Sequence, residues 1–305
     1  MLAKPSFSKI KVYIFRILKQ PKVKLLRLQL DHSFVRFRKE FNSMRIKQST
    51  QSPIIIVFAN YGYIDIVLNW IKAIEVLGIN NHLIISMDVR LHRKLIEKSI
   101  NTILFEVDTN LNLIWEARVK VCRFLVENNY DFIHSDADAI WLNNPIEEYF
   151  GSNSNKELDL IMSQGTIYPR ECFKEWGLVL CCGLFFVRSN EKTIQLLREI
   201  EDDTKRTGDD QKSLNMILKG KNLTWTLETL HQINFQLSGK PYEINISDQM
   251  IQSECDGIKV GLLPFRKFPR LAVYQKDPYV VHPLTPKKGL SKRQEFEELG
   301  LWFLK

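Results

Sequence analysis

The 305-residue chain is 45% hydrophobic and 26% charged, a globular composition that excludes a disordered or fibrous protein and suits one large α/β domain or a domain with an extension. Its formal net charge of +8 is unevenly placed: residues 1–50 hold 13 Lys/Arg against 2 Asp/Glu, and residues 51–305 hold 30 against 33. A basic extension on a nearly neutral body points to a tether or docking segment and away from nucleic acid, for which no motif occurs. The five cysteines lack metal-type spacing and read as reduced thiols, with Cys181-Cys182 in the core. Neither the uncharged run Gln48 to Ile64 nor the apolar run Trp176 to Val187 reads as a membrane span. With no signal segment or lipidation box at the ends of the sequence, the expected location is the cytosol.

Taken in chain order, cationic and apolar residues alternate from Lys9 to Lys19 and again from Val23 to Arg38, with Pro21 between them, which predicts two short basic amphipathic helices within residues 1–50. Such helices can lie on an anionic membrane surface, or they can pack as a pair on the body; the pattern allows both. After the breaker Ser49 to Pro53, the continuous apolar run Ile54 to Ala59 predicts a strand buried on both faces of a parallel sheet. Ile64, Val67, Leu68, Ile71 and Ile74 recur at helical spacing, and Gly78 is placed to end that helix. A strand at His82 to Met87, a helix around Leu91 to Lys98, a strand at Thr102 to Val107, a helix at Leu113 to Asn128 and a strand at Asp131 to Ser135 follow. This βα alternation implies a mainly parallel sheet covered by helices, with ligands bound beyond the carboxyl ends of its strands. The second half is less regular: strands at Leu158 to Ser163, Leu184 to Arg188, Ile258 to Leu262 and Tyr279 to His282, and helices at Lys192 to Glu201 and Gln211 to Lys219. No repeat or low-complexity linker divides it, so residues 51–305 read as one domain behind the extension 1–50.

The stretch Tyr130-Asp131-Phe132-Ile133-His134-Ser135-Asp136-Ala137-Asp138-Ala139-Ile140-Trp141-Leu142-Asn143-Asn144-Pro145 carries the chemistry. An apolar strand ends at Ser135 and is followed by two acids two residues apart. In an extended segment both point to one side and can converge on one hard divalent cation, Mn²⁺ or Mg²⁺, leaving room for a diphosphate. An Asp-x-Asp alone is a weak signal, because paired acids in a turn are commonly just solvated.

In this context the sequence resembles the nucleotide-diphospho-sugar transferase family, which builds α-glycosidic bonds with retention on a GT-A fold; the likeness is to family 77, with kinship to the family 8 galactosyltransferases. It runs over roughly residues 54–305. Ala59-Asn60-Tyr61-Gly62-Tyr63 with Asn69-Trp70 resembles the first nucleotide-binding loop and helix, and Ile84 to Asp88 the second strand, ending in an acid. Arg118 stands where an arginine precedes the metal motif, Asp210-Gln211 with Asn215 matches an Asp-Gln-x-x-x-Asn element, and Val281-His282, Gly289, Lys292 and Gly300-Leu301-Trp302 match the C-terminal signature. Asn143-Asn144, Cys181-Cys182-Gly183 and Pro283-Leu284 depart from the family pattern, which bears on sugar identity more than on reaction class.

The resemblance implies a retaining hexosyl- or pentosyltransferase that uses a UDP-sugar donor, a metal ion and a glycan, protein or lipid-linked acceptor. Asp136, Asp138 and His282 would hold the metal, and Asn60, Tyr61, Gly62, Arg118, Asp136 and Lys292 (or else Lys288) the nucleotide diphosphate. Asp210 and Gln211 would face the sugar and stabilise oxocarbenium-like charge. Each has a structural alternative: a half-buried histidine, a surface salt bridge for Arg118, a solvated basic loop, and the first turn of a helix for Asp210 and Gln211. Two other functions compete. A haloacid-dehalogenase-like phosphatase also uses Asp-x-Asp, although that fold places it after the first strand; the second is a catalytically silent sugar-nucleotide-binding scaffold.

Overall fold

The computed structural model describes residues 7–44, 53–151, 155–237, 240–270, 277–284 and 289–304. The basic region forms one helix, α1 (Phe7–Ser43), and not the two expected; Pro21 lies within it. The βα alternation follows as β1 (Ile54–Ala59), α2 (Ile64–Val76), β2 (His82–Ser86), α3 (Val89–Glu97), β3 (Thr102–Leu104), α4 (Leu111–Glu127) and β4 (Phe132–Ser135). Beyond it come β5 (Ile140–Trp141), β6 (Leu160–Gln164), α5 (Arg170–Trp176), β7 (Leu180–Val187), α6 (Glu191–Thr207) and α7 (Asp210–Gly220). The chain closes with β8 (His231–Leu237), β9 (Lys240–Ile246), β10 (Ile251–Cys255), β11 (Ile258–Leu262), β12 (Val280–Val281) and α8 (Lys292–Glu298).

One sheet of eight strands, in the order β3-β2-β1-β4-β7-β6-β11-β10, organises these elements. The block β3-β2-β1-β4 is parallel, β7 runs against both its neighbours, β11 is parallel to β6, and β10 is antiparallel to β11. Six strands therefore share one direction, and the fold is mixed α/β with a mainly parallel sheet flanked by helices. The apolar run of β1 is continuous because each face of the sheet has its own core. Ile54 and Ile56 enter the layer shared with α1, α4 and α6, while Ile55, Val57 and Ala59 enter the layer shared with α2 and α3.

The second half of α1 belongs to that first layer. Leu30, Phe34, Phe37 and Phe41 recur at helical spacing and are buried against Phe105 and Phe124 in a network of stacked and edge-on rings. Phe37 is completely buried, so Phe37→Ala is expected to cost about 3–5 kcal/mol. Denaturant unfolding would show it; a change under 1 kcal/mol would mean that the helix does not stay docked in solution. No helix of the described residues is long and apolar enough to cross a membrane.

Several elements differ from the sequence reading. Strand β7 begins at Leu180 and not Leu184, which puts Cys181, Cys182 and Gly183 inside the sheet. Helix α6 runs on to Thr207, ended by Gly208 at φ 73°, a left-handed turn that favours glycine. The strands β5, β8, β9 and β10 and the helices α5 and α8 are not assigned from the sequence. The hairpin of β8 and β9 buries Phe235, Ile244 and Ile246 in a small core with Ile167 and Phe265, with Ile233, Leu237 and Tyr242 partly buried against it.

Candidate active site

The Asp-x-Asp turn leaves the carboxyl end of β4 and is seated by a buried serine. Ser135 Oγ accepts from the indole nitrogens of Trp70 at 3.3 Å and Trp141 at 3.2 Å, and donates to the Asp136 carbonyl at 3.1 Å. Buried indole N–H groups need an acceptor, which explains the tryptophan after the acids: it ties the exit of the turn to its entrance. Ser135→Ala leaves both donors without this acceptor and is expected to lower stability by about 2 kcal/mol or more, measurable by urea unfolding. A stability unchanged from wild type would refute this role.

His282 arrives through a two-residue ladder. Val280 pairs with Trp141 and Val281 with Ile140, antiparallel, so the residue after β12 faces the residues before β5. His282 Nε2 thereby lies 3.2 Å from Asp138 Oδ1 and 3.7 Å from Asp136 Oδ2, and one donor atom from each of the three residues lies within 4.8 Å of the others. Two carboxylates and an imidazole are a donor set that suits Mn²⁺. Gly183 leaves them their space: a Cβ there would be 2.1 Å from His282 Cε1 and 2.6 Å from Asp136 Oδ2. Lys292, the first residue of α8 behind its Ser291 cap, places Nζ 3.0 Å from Asp138 Oδ2.

Behind the pair, Arg118 on α4 bridges two acids, with Nη1 3.2 Å from Asp136 Oδ1 and Nε 2.5 Å from Asp210 Oδ2. It is an almost buried clamp between carboxylates and not a surface ion pair. His134, two residues before Asp136 on the same side of the strand, adds Nε2 at 3.1 Å from Asp136 Oδ1. Burial would raise the carboxyl pKa of Asp136, but the His134 hydrogen bond and Arg118 bring it below its ordinary value. Asp138 is likewise held well below the usual carboxylate range, against burial, by His282 and Lys292. Burial and Arg270 disfavour a charged His282, yet Asp138 prevails and pushes it up to about 9. Burial would lift the Cys181 thiol, but Arg270 and His282 draw it down to about 6.

The cap of α7 is Asp209, whose side chain accepts from Lys212 N, so Asp210 is free of that duty and turns inward to Arg118. Gln211 Oε1 accepts from Cys182 N at 3.2 Å and its Nε2 donates to the Tyr168 carbonyl at 2.8 Å, fastening two walls together. Asn215 exchanges two hydrogen bonds with the backbone of Leu180, holding β7 beside α7. Asn69 does the same for residues at the C-terminal end, donating to the Leu301 carbonyl and accepting from Phe303 N. Two asparagines singled out in the sequence thus fix backbone.

One cleft of about 480 Å³ opens at the carboxyl edge of the sheet, with Tyr63, Trp115, Tyr168, Cys181, Cys182, Gly183, Asp209, Arg270 and Pro283 in its walls. It brings together Arg118, Asp136, Asp138, Asp210, Gln211, His282 and Lys292. Asn60, Tyr61 and Gly62 lie at the end of β1 but not in its lining: Tyr61 N donates to Asp88 Oδ2 at 2.6 Å, and Arg90 stacks 3.6 Å over the Tyr61 ring. Lys288 lies outside the described residues. The sequence reading missed His134, Trp115, Tyr168 and Arg270. The same-side spacing of His134 and Asp136 was the available signal; Arg270 has none, because the backbone bond from His282 N to the Pro269 carbonyl brings it in.

The family model for nucleotide-diphospho-sugar transferases matches residues 77–296. The chain belongs to this family. The mainly parallel sheet flanked by helices described above has the mixed α/β class that the resemblance implied. Among related transferases, the chain is 24% identical over 293 residues to "Arabinosyltransferase XEG113" of Arabidopsis thaliana, covering 87% of this chain and 42% of that protein. It is 19% identical over 306 residues to "UDP-galactose:fucoside alpha-3-galactosyltransferase" of Dictyostelium discoideum, covering 85% of this chain and 44% of that one. The chain therefore spans less than half the length of these relatives. A solved galactosyltransferase, LgtC in complex with donor and acceptor sugar analogs, superposes with a TM-score of 0.49 at 10% identity over 82% of this chain and 96% of that one.

Proposed function

We propose that this member of the transferase family is a metal-dependent glycosyltransferase that moves a sugar from a UDP-sugar to an acceptor hydroxyl with retention. The observation that carries the reading is the convergence of Asp136, Asp138 and His282 within 4.8 Å in a cleft that also holds Lys292. UDP and an α linkage both stand in the name of the Dictyostelium relative, and an α product from an α-linked nucleotide sugar is retention. A dehalogenase-type phosphatase is disfavoured because these acids follow the fourth strand of the chain and not the first.

In this reading Asp136, Asp138 and His282 hold a divalent cation. When bound, it supplies Lewis-acid charge to the diphosphate as the sugar–phosphate bond breaks. Lys292 adds a fixed positive charge beside it. Arg118 holds the Asp136 and Asp210 carboxylates in place, so that Asp210 can steady positive charge developing on the sugar ring. Gln211, with its amide fastened to both walls, holds the sugar side of the cleft in shape around the reacting bond. The acceptor hydroxyl then attacks on the face that the leaving group departs. Any contact with an anionic membrane would use the outer side of α1, where Leu25, Leu28 and Val35 are exposed opposite the packed phenylalanines.

The test is the melting temperature of the purified chain against a panel of nucleotide sugars, with and without Mn²⁺, since a ligand bound only by the folded state raises it. A UDP-sugar at about 100 times its Kd should stabilise by about 2.7 kcal/mol, and only when the metal is present. No shift with any nucleotide sugar would overturn the donor assignment; an equal shift in chelator would overturn the metal.

A further inference from the structure

The reading above leaves Cys181 and Arg270 without a task, although both line the cleft and touch the residue that completes the donor cluster. Two donors converge on Cys181 Sγ: Arg270 Nη1 is 2.6 Å away and Gly183 N is 3.3 Å away. Arg270 Nη1 also lies 3.2 Å from His282 Nδ1, while Nε2 of that ring faces Asp138 and Asp136.

An imidazole that offers the Nε2 lone pair to a cation carries its proton on Nδ1, and that N–H needs an acceptor; in metal sites the partner is usually a carboxylate, a carbonyl or water. A guanidinium has donors only. With the proton on Nδ1, His282 and Arg270 would oppose each other across 3.2 Å, and the Cys181 sulfur, 2.6 Å from the same Arg270 nitrogen, is a neighbouring acceptor able to serve both.

We propose that Cys181 is the positioning residue of His282: its sulfur accepts from Nδ1–H and from Arg270 together, and so holds the Nε2 lone pair toward the Asp136–Asp138 pair. This rests on the metal-site reading above. It gives a reason for a cysteine at a place where the family resemblance led one to expect a different sugar-side segment.

The experiment is a Mn²⁺ titration of the full chain, followed by the paramagnetic resonance signal of free Mn²⁺, with the metal-free melting temperature as the check that each variant folds. Cys181→Ala should weaken Mn²⁺ binding about 10- to 100-fold, the usual effect of losing an outer partner of a ligating histidine. Cys181→Ser, whose hydroxyl oxygen also accepts, should stay closer to wild type. Arg270→Gln added to Cys181→Ala should recover part of the loss, because the amide oxygen can accept from Nδ1–H; a merely structural defect would not be rescued this way. Wild-type affinity in Cys181→Ala, or a double variant no tighter than the single one, would overturn the proposal. A wild-type chain that binds no Mn²⁺ would remove the metal reading itself, an outcome visible before any variant is made.

Discussion

Asp138→Ala is expected to lower sugar transfer by about 10³-fold while leaving the chain folded. Its two carboxylate oxygens face different partners, His282 Nε2 on one side and Lys292 Nζ on the other, so one substitution removes a proposed metal ligand and the anion that aligns two cations. Asp138→Asn separates charge from shape. It keeps the volume and one oxygen but not the negative charge, and should be nearly as inactive as the alanine variant. The measurement is the initial rate of transfer, or of donor hydrolysis where no acceptor is known, at saturating metal, with circular dichroism to confirm the fold. Transfer at the wild-type rate by either variant would sink the metal assignment.

Gly183→Ala should be almost as damaging, although it removes nothing. Gly183 lies in the middle of β7, and its carbonyl accepts from Asp136 N at 2.7 Å, so the backbone cannot back away without pulling the Asp-x-Asp turn with it. An added Cβ would enter the space of His282 and Asp136, at 2.1 Å from Cε1 and 2.6 Å from Oδ2. Neither neighbour can yield easily: His282 is buried against Arg270 and Cys181, and Asp136 is held by Arg118 and His134. We expect a stability loss of about 1–3 kcal/mol from overpacking and a fall in transfer of about 10²-fold or more, since a displacement near 1 Å in a catalytic group commonly costs that much. Mn²⁺ affinity should fall in parallel. An active, tightly binding Gly183→Ala variant would mean that the turn and β7 are further apart in solution than the 2.7 Å bond from Asp136 N to the Gly183 carbonyl requires.

The contrast between these two positions shows how much of the site could be read in advance. Asp138 announces itself by a local pattern, two acids just after an apolar strand, and the strand–helix alternation before it places that pattern at the edge where parallel sheets bind ligands. Gly183 announces nothing. It stands in a run of apolar residues and cysteines that reads as core, and its importance comes from what passes over it. The same holds on the sugar side. Asp210 and Gln211 are visible as the start of a helix, but that Asp209 takes the capping duty and leaves Asp210 to Arg118 follows from the meeting of α4 and α7. The single helix of the basic region escaped for a different reason, because Pro21 reads as a break between two helices, and the hairpin of β8 and β9 because its alternation is short and flanked by polar residues.

By itself, then, the sequence determined the α/β class, the order of the elements from β1 through β4, the basic character of residues 1–50 and the place of the acid pair, because burial on a helix or strand leaves a periodic trace in neighbouring residues. Only the tertiary structure decided that His282 reaches Asp138 through the β5–β12 ladder, that Arg270 and Cys181 stand behind the histidine, and that Gly183 must lack a side chain. Those contacts join residues far apart in the chain, and a contact between distant segments depends on strand pairing and layer packing that no local spacing records.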